Sequence, residues 1–344
     1  LIAYAGSVEA VFKEKKATLS KIPGIGEYTA KKIVNQDILQ KAEEEIAFIE
    51  KYNITPVFYL DKNYPERLKH CEDGPLMIFV KGTVDFNTQK TLSIVGTRNA
   101  TDYGRAICEQ LVKDLAKKKH EALIISGLAY GVDICAHKAA LDNGLKTVAV
   151  LGHGLDIMYP AIHRKIAEQI IRQGALVTEY CSQSPADRSN FVKRNRIIAG
   201  MSDATVVVES AKRGGALITA DLANSYNRDV FAVPGKLKDN YSTGCNWLIK
   251  THKAALIEGL QDLEYILGWQ QPEEKPKTVQ KEIFVELSEE EKSIINILKA
   301  DRESPIDLIS LKANLPMSKV SVLLLNLEFS GLVKSLPGKV YRLN

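Results

Sequence analysis

With 344 residues, 45% hydrophobic and 26% charged, the chain can build two or three domains with at least one sizeable core and no staples. A net charge of +4 excludes a global cationic field, so any contact with nucleic acid has to come from a local patch. The five cysteines (Cys71, Cys108, Cys135, Cys181 and Cys245) lie far apart, form no C-x-x-C pair and sit mostly in apolar-periodic segments. They read as buried thiols in a reducing cytoplasm, and neither a metal nor a cofactor is expected. No apolar run approaches the about 20 residues of a membrane span, and no signal-peptide pattern opens the chain. A cytoplasmic protein without membrane contact is expected, and the start at Leu1 in place of Met reads as trimmed.

Taken in order, the chain first shows Ile22-Pro23-Gly24-Ile25-Gly26 between two helical patterns, followed by Lys31 and Lys32. This resembles the hairpin of helix-hairpin-helix modules, where the glycines let backbone N–H groups approach a DNA phosphate and the lysines add charge. The same hairpin also serves simply to pack a small helical domain, so residues 1–53 are read as a helix-hairpin-helix or SAM-like domain. Ile54-Thr55-Pro56 reads as the boundary into a second domain. One apolar strand, Leu76–Val80, precedes short β-branched runs at Leu92–Val95, Leu123–Ile125, Thr147–Leu151, Leu176–Thr178, Thr205–Val208 and Val230–Val233. Helical patterns of roughly ten to fifteen residues separate them, a rhythm that predicts an α/β, doubly wound, mostly parallel sheet over 54–269.

The strands end in Gly or polar turns at Gly96-Thr97-Arg98, Ser126-Gly127, Gly152-His153-Gly154, Glu179, Glu209 and Pro234-Gly235. In open α/β sheets such turns converge on one crevice outside the carboxyl ends of the strands. No G-x-G-x-x-G or Walker A motif is present. Lys193, Arg194 and Arg196, within Phe191–Gly200, read as cations opening a short helix, where the positive end of the dipole would repel them unless an anion sits among them. The simplest anion is a phosphate, and the alternative is a solvated basic turn with carboxylate partners elsewhere. Ser126 and the small residues after it suit a phosphate on backbone N–H groups, or else a tight turn with Ser126 as N-cap. Gly214-Gly215-Ala216 before Leu217-Ile218-Thr219-Ala220 either cradles phosphate or permits close packing.

From Gln270 the chain loses its periodicity, and 270–285 reads as a linker. Three amphipathic helices (287–298, 305–313, 316–330) and a small hairpin follow, a pattern over 286–344 that resembles a winged helix. Between Glu286 and Asn344 eight cations balance eight carboxylates, and the third helix offers no arginine or glutamine to a base edge. An interaction or regulatory module is expected there.

Several motifs stand in register over about 55 to 260: Gly96-Thr97-Arg98 with Tyr103-Gly104, Ser126-Gly127-Leu128-Ala129 with Gly131-Val132-Asp133, Leu151-Gly152 with Gly154-Leu155-Asp156 and Tyr159-Pro160, Arg194-Asn195-Arg196, Leu217–Ala220, Val233-Pro234-Gly235, and Gly244 with Asn246. In this order they resemble the DNA-processing protein A (DprA/Smf) family. The resemblance implies an extended Rossmann-like core that binds single-stranded DNA, forms homodimers and loads the RecA recombinase during natural transformation. It also implies a DNA-phosphate pocket of Gly96, Arg98, Ser126, Gly127, Arg194, Asn195 and Arg196, with Lys193 and a stacking Phe191 beside it and Gly214, Gly215 and Thr219 opposite. Where the family has Ser-Gly-Ser, this chain has Gly214-Gly215-Ala216, which removes two hydroxyls but keeps the backbone donors. Arg213 just before reads as compensating charge or as an exposed arginine.

An enzyme that binds or hydrolyses a nucleotide is the alternative. Gly214-Gly215 and Thr219 resemble the run of Rossmann-like proteins that release nucleobases, but the glutamate of that run is missing and Asp221 stands near its place. Glu179 and Glu209 are candidate acid/base groups, or else partners that hold Arg194 or Arg196. His137, His153 and His163 are isolated and read as structural or surface residues, so no catalytic residue is assigned.

Overall fold

The computed structural model describes residues 1–35, 37–270, 287–336 and 339–343, in two compact units, Leu1–Gln270 and Gln271–Asn344. Past Gln270, the linker expected over 270–285 lies outside the described residues.

The first unit opens with five helices, α1 (Ile2–Ala5), α2 (Val8–Lys13), α3 (Lys16–Leu19), α4 (Glu27–Ile33) and α5 (Asp37–Lys51). Val11, Leu19 and Ala30 form a small apolar centre, closed by Ile22 and Ile25 of the turn between α3 and α4. The longer α5 carries Glu45, whose carboxylate accepts from Ser182 N at 2.9 Å and Ser182 Oγ at 2.6 Å, tying the helices to the sheet domain.

That domain follows as β1 (Thr55–Phe58), α6 (Glu66–Lys69), β2 (Met77–Gly82), β3 (Thr91–Val95), α7 (Asp102–Lys117), β4 (Leu123–Ser126), α8 (Val132–Asp142), β5 (Thr147–Val150), α9 (Arg164–Gln173), β6 (Ala175–Thr178), α10 (Arg188–Gly200), β7 (Ala204–Val207), α11 (Gly215–Ser225), β8 (Asp229–Ala232), α12 (Thr243–Lys250), β9 (Ala255–Leu256) and α13 (Leu260–Leu267). The strands form one sheet in the order β1-β2-β6-β5-β4-β3-β7-β8-β9. β1 and β2 pair antiparallel, as do β2 and β6, and every pairing from β6 to β9 is parallel. Each residue of β3, β4, β5, β6 and β7 is buried, because helices cover both faces. On one face Ile197, Ile198, Leu217 and Leu248 pack on Val95, Ile125 and Val207. On the other, Leu111, Leu115, Val132 and Leu263 pack on Leu92, Ile94 and Phe231. The strand order reverses between β3 and β7, which opens a crevice at their carboxyl ends.

Thr55 and Pro56, at the expected boundary, open β1, an edge strand in which Pro56 is tolerated. The helix that carries Arg194-Asn195-Arg196 differs from expectation. Helix α10 starts at Arg188, with Asp187 as N-cap accepting from Ser189 N, so Lys193, Arg194 and Arg196 stand in its middle and do not meet the dipole. Four cysteines are buried as expected, but Cys181 is exposed.

The second unit contains α14 (Glu289–Asp301), β10 (Glu303–Pro305), α15 (Ile306–Ala313), α16 (Met317–Phe329), β11 (Val333–Leu336) and β12 (Val340–Leu343), with an antiparallel sheet ordered β10-β12-β11. Ile294, Leu298, Ile309, Val320 and Leu324 fill its core. This is the winged-helix arrangement, with β10 added to the expected hairpin. The cation of α16, Lys319, is paired with Glu290 at 2.5 Å. Among the described residues, no single helix is long and apolar enough to cross a membrane.

Candidate nucleic-acid interface

The turns after β3 and β7, the loop before α8, helix α10 and the start of α11 enclose a crevice of about 610 Å³. Its lining includes Gly96, Arg98, Phe191, Arg194, Asn195, Arg213, Gly214, Gly215 and Thr219. Gly214 is the N-cap of α11, and the first turn of that 11-residue helix presents its unpaired N–H groups to the crevice. No atom lies within 4 Å of where a Gly215 side chain would begin, so the approach to that backbone is open.

Cations surround this helix end. Arg98 comes from the turn after β3, Arg213 from the turn after β7, and Arg188 from the first turn of α10. All three are exposed, and none forms an ion pair among the described residues. Of the carboxylates, only Asp133 is among the described residues that line the crevice. Phe191 lies beside Arg98, whose guanidinium carbon is 6.0 Å from the ring centroid. The ring of Tyr159, itself half exposed, stands 5.4 Å from that of Phe191 at 37°. The result is an aromatic step next to a cluster of cations.

Arg194 forms the floor. It is 4% exposed, and its Nη1 donates to Gly127 O at 2.8 Å and to Val150 O. Asp133 accepts from Gly127 N at 3.2 Å and supplies the opposing charge. Burial lowers the Arg194 guanidinium to about 10, with Asp133 acting in the other direction. Burial likewise pushes the Asp133 carboxyl upward, opposed by Arg194 and by backbone donors at Ala129 and Gly127. A side chain at Gly127 would begin 2.5 Å from Arg194 Nη2, so only glycine leaves the guanidinium its place.

Other expected pocket residues are elsewhere. Ser126 ends β4, is fully buried and donates through Oγ to Ile94 O at 2.6 Å, while α8 is capped by Gly131. Neither a phosphate-binding hydroxyl nor an N-cap is formed by Ser126. Along α10, Phe191, Asn195 and Ile198 share the crevice face at helical spacing, which turns Arg196 away from it, to the turn after β6. There Arg196 pairs with Glu179, as one of the sequence readings had it, and both side chains are less than one-fifth exposed. Burial raises the Glu179 carboxyl, with Arg196 opposing. Lys193 is exposed and lies outside the crevice lining. Glu209 holds no arginine. It accepts from Thr101 N at 2.8 Å and from Thr101 Oγ1, fixing the N-cap of α7, and a side chain at Gly104 would strike it.

The sequence reading missed Arg188 and Tyr159. The signal for Arg188 was Asp187 with Ser189, an N-cap pattern that starts α10 early enough to bring Arg188 onto the crevice face. The three histidines are structural. His137 and His163 bond to Thr147 Oγ1 and Leu128 O, and His153 bonds to Gly154 O. In the N-terminal helices, nothing lies within 4 Å of a side chain begun at Gly24 or Gly26, so that hairpin surface is open. Lys31 and Lys32 stand in the last turn of α4, with Lys32 over the Tyr28 ring at 4.6 Å.

Comparison with known proteins adds the following. Residues 55–268 match the family model for DNA recombination-mediator protein A, and residues 283–339 match that for the DprA winged helix domain. The DNA processing protein DprA of Streptococcus pneumoniae is 38% identical over 204 residues, which span 59% of this chain and 71% of that protein. Protein Smf of Escherichia coli is 34% identical over 88% of this chain and 80% of its own. A solved structure of DNA processing protein A from Helicobacter pylori, described by its single-stranded DNA binding mode, superimposes with a TM-score of 0.57. It is 27% identical, over 63% of this chain and 97% of that one.

Proposed function

Because the chain belongs to the DNA recombination-mediator protein A family, we propose that its crevice binds the sugar-phosphate backbone of single-stranded DNA. The observation that carries this is the convergence of Arg98, Arg188 and Arg213, without carboxylate partners among the described residues, on the open N-terminus of α11. A phosphate there accepts from the Gly215 and Ala216 N–H groups while the arginine forks close around it, a geometry that suits guanidinium better than ammonium. A base beside it stacks on Phe191 and Tyr159. Every base has a π-face, so binding is tolerant of sequence and steep in salt. The Helicobacter pylori relative supports the choice of single-stranded DNA as ligand.

The bound strand is then handed to the RecA recombinase, by a cytoplasmic homodimer that protects DNA taken up in natural transformation. The hairpin at Gly24 and Gly26, with Lys31 and Lys32, adds a secondary contact, and the winged-helix unit serves interaction or regulation. The role is one of binding and not of catalysis. Glu179 and Glu209 are committed to Arg196 and Thr101, and Asp221 pairs with Lys253 at 2.8 Å.

The test is a fluorescence-anisotropy titration of labelled oligothymidylate across salt concentrations. Arg98→Ala with Arg213→Ala should weaken binding at least about a hundredfold, from about 1.5 kcal/mol per charged hydrogen-bonding group, and flatten the salt slope by about 1.4. An affinity and slope like those of the intact chain would remove the crevice as the binding site.

A further inference from the structure

Two motifs remain without a role in the crevice: Val233-Pro234-Gly235 and Gly244 with Asn246. They fasten the loop between β8 and α12 to the crevice rim. The Asn246 amide accepts from Gly235 N at 3.1 Å and donates to Gly235 O at 2.9 Å. Gly244 N donates to Ser210 O at 2.8 Å, and Ser210 N to Tyr241 O at 2.6 Å. A side chain at Gly244 would begin 2.7 Å from both Ser210 O and Ala211 O, so the loops after β7 and β8 touch through bare backbone. From the other side, Asn99 donates to the Tyr241 hydroxyl at 3.3 Å, and Tyr103 donates to Pro234 O at 2.9 Å.

The braced loop projects Lys236, Leu237 and Lys238, all exposed, Leu237 by 89%. Neither lysine forms an ion pair among the described residues. The acid nearest in sequence, Asp239, is spent within the loop, accepting from Ser242 Oγ at 2.7 Å and Tyr241 N at 3.3 Å. Lys212 and Arg213, on the neighbouring turn, are also exposed and also lack ion pairs among the described residues. Positive charge therefore continues from the crevice over the ends of β7 and β8. An exposed leucine between two lysines suits a strand in which phosphates alternate with the apolar faces of bases.

We propose that Lys236, Leu237 and Lys238 form a second landing for single-stranded DNA as it leaves the crevice past Arg213. This rests on the crevice being the primary site. The loop lysines hold phosphates several nucleotides along the strand, while Leu237 packs against a base. Short strands that fill only the crevice do not reach the loop, and longer ones do.

Binding of a short (about 6-nucleotide) and a long (about 20-nucleotide) oligothymidylate is measured across salt with the intact chain, Lys236→Glu with Lys238→Glu, and Leu237→Ser. The charge reversal should weaken the long strand at least tenfold and make its salt slope shallower by about 1.4, from about 0.7 per lost phosphate contact. Its affinity for the short strand should stay within twofold, and Leu237→Ser should weaken the long strand alone without changing the slope. Equal losses on both lengths, or none on either, would overturn the proposal. Arg98→Ala separates the two readings, since it should weaken both lengths. If it weakens neither, the crevice fails as primary site, whatever the loop variants do.

Discussion

Replacing Arg194 by Met should act first on the stability of the sheet domain and not on contacts with DNA. The guanidinium donates to Gly127 O and Val150 O and faces the buried Asp133. Met keeps much of the volume but leaves two carbonyls without that donor and one carboxylate without its counter-charge. Each orphaned carbonyl costs about 1 kcal/mol or more and a buried carboxylate left without its nearby opposing charge adds to this, so a loss of at least about 3 kcal/mol is expected. Urea unfolding read by tryptophan fluorescence is the assay. Both tryptophans, Trp247 and Trp269, lie in the unit Leu1–Gln270, so the signal reports that unit and not the winged helix. With a slope of about 3 kcal/mol per molar urea, the midpoint should fall by about 1 M or more at unchanged slope. Adding Asp133→Asn should recover at least about 1 kcal/mol, because the double variant no longer buries an uncompensated charge. A stability within about 0.5 kcal/mol of the intact chain, combined with a tenfold loss of DNA affinity, would instead make Arg194 a direct phosphate ligand and refute its place as the floor.

Arg196→Ala should act through stability too, lowering the same midpoint by about 1–3 kcal/mol through the unpaired, mostly buried Glu179, with DNA affinity of the folded protein within twofold; an intact midpoint with lost binding would return Arg196 to the DNA site. His137 gives a pH dependence. It is fully buried, with Nε2 lacking a partner among the described residues, and burial, then Arg194 and His163, lowers it to about 3. The native imidazole thus stays neutral while the unfolded one gains a proton below about 6.5, so stability is lost as pH falls from about 6.5 toward 3. At pH 5 the loss is about 2 kcal/mol relative to pH 7, and it should vanish in His137→Leu; an equal slope in that variant would assign the effect to other groups.

The parallel strands β3 to β7 were legible because each is a short apolar run buried on both faces, and no exposed residue interrupts the signal. Edges were harder. β1 contains Pro56, β9 has two residues and β10 three, and such segments carry too little pattern to separate from turns. Helix α10 shows how a small error of boundary becomes an error of physics. Starting it near Lys193 put three cations on a helix dipole and seemed to demand an anion; starting it at Asp187, whose side chain caps Ser189 N, removes that demand. What identifies the crevice in the structure is a different helix end, that of α11, with arginines drawn from three separate segments. No local pattern could gather Arg98, Arg188 and Arg213, because only the reversal of strand order between β3 and β7 brings their turns together.

The two arginines of Arg194-Asn195-Arg196 also differ in kind from those three. Arg196 is paired with Glu179, whereas Arg194 donates to the backbone at Gly127 and Val150 with the buried Asp133 supplying opposing charge. The cations at the crevice mouth form no ion pair among the described residues. This division has a functional sense. The buried Arg194 guanidinium, bonded to Gly127 O and Val150 O, with Asp133 accepting from Gly127 N, fixes the floor at Gly127; on the proposed reading the α11 N–H groups and the aromatic step are then in place before DNA arrives, and binding orders mainly the exposed arginine heads. If the crevice binds DNA as proposed, affinity resides in phosphate contacts at the rim and tolerance of sequence in the aromatic step, so substitutions at the rim should change salt dependence, while substitutions of the floor beneath should change stability.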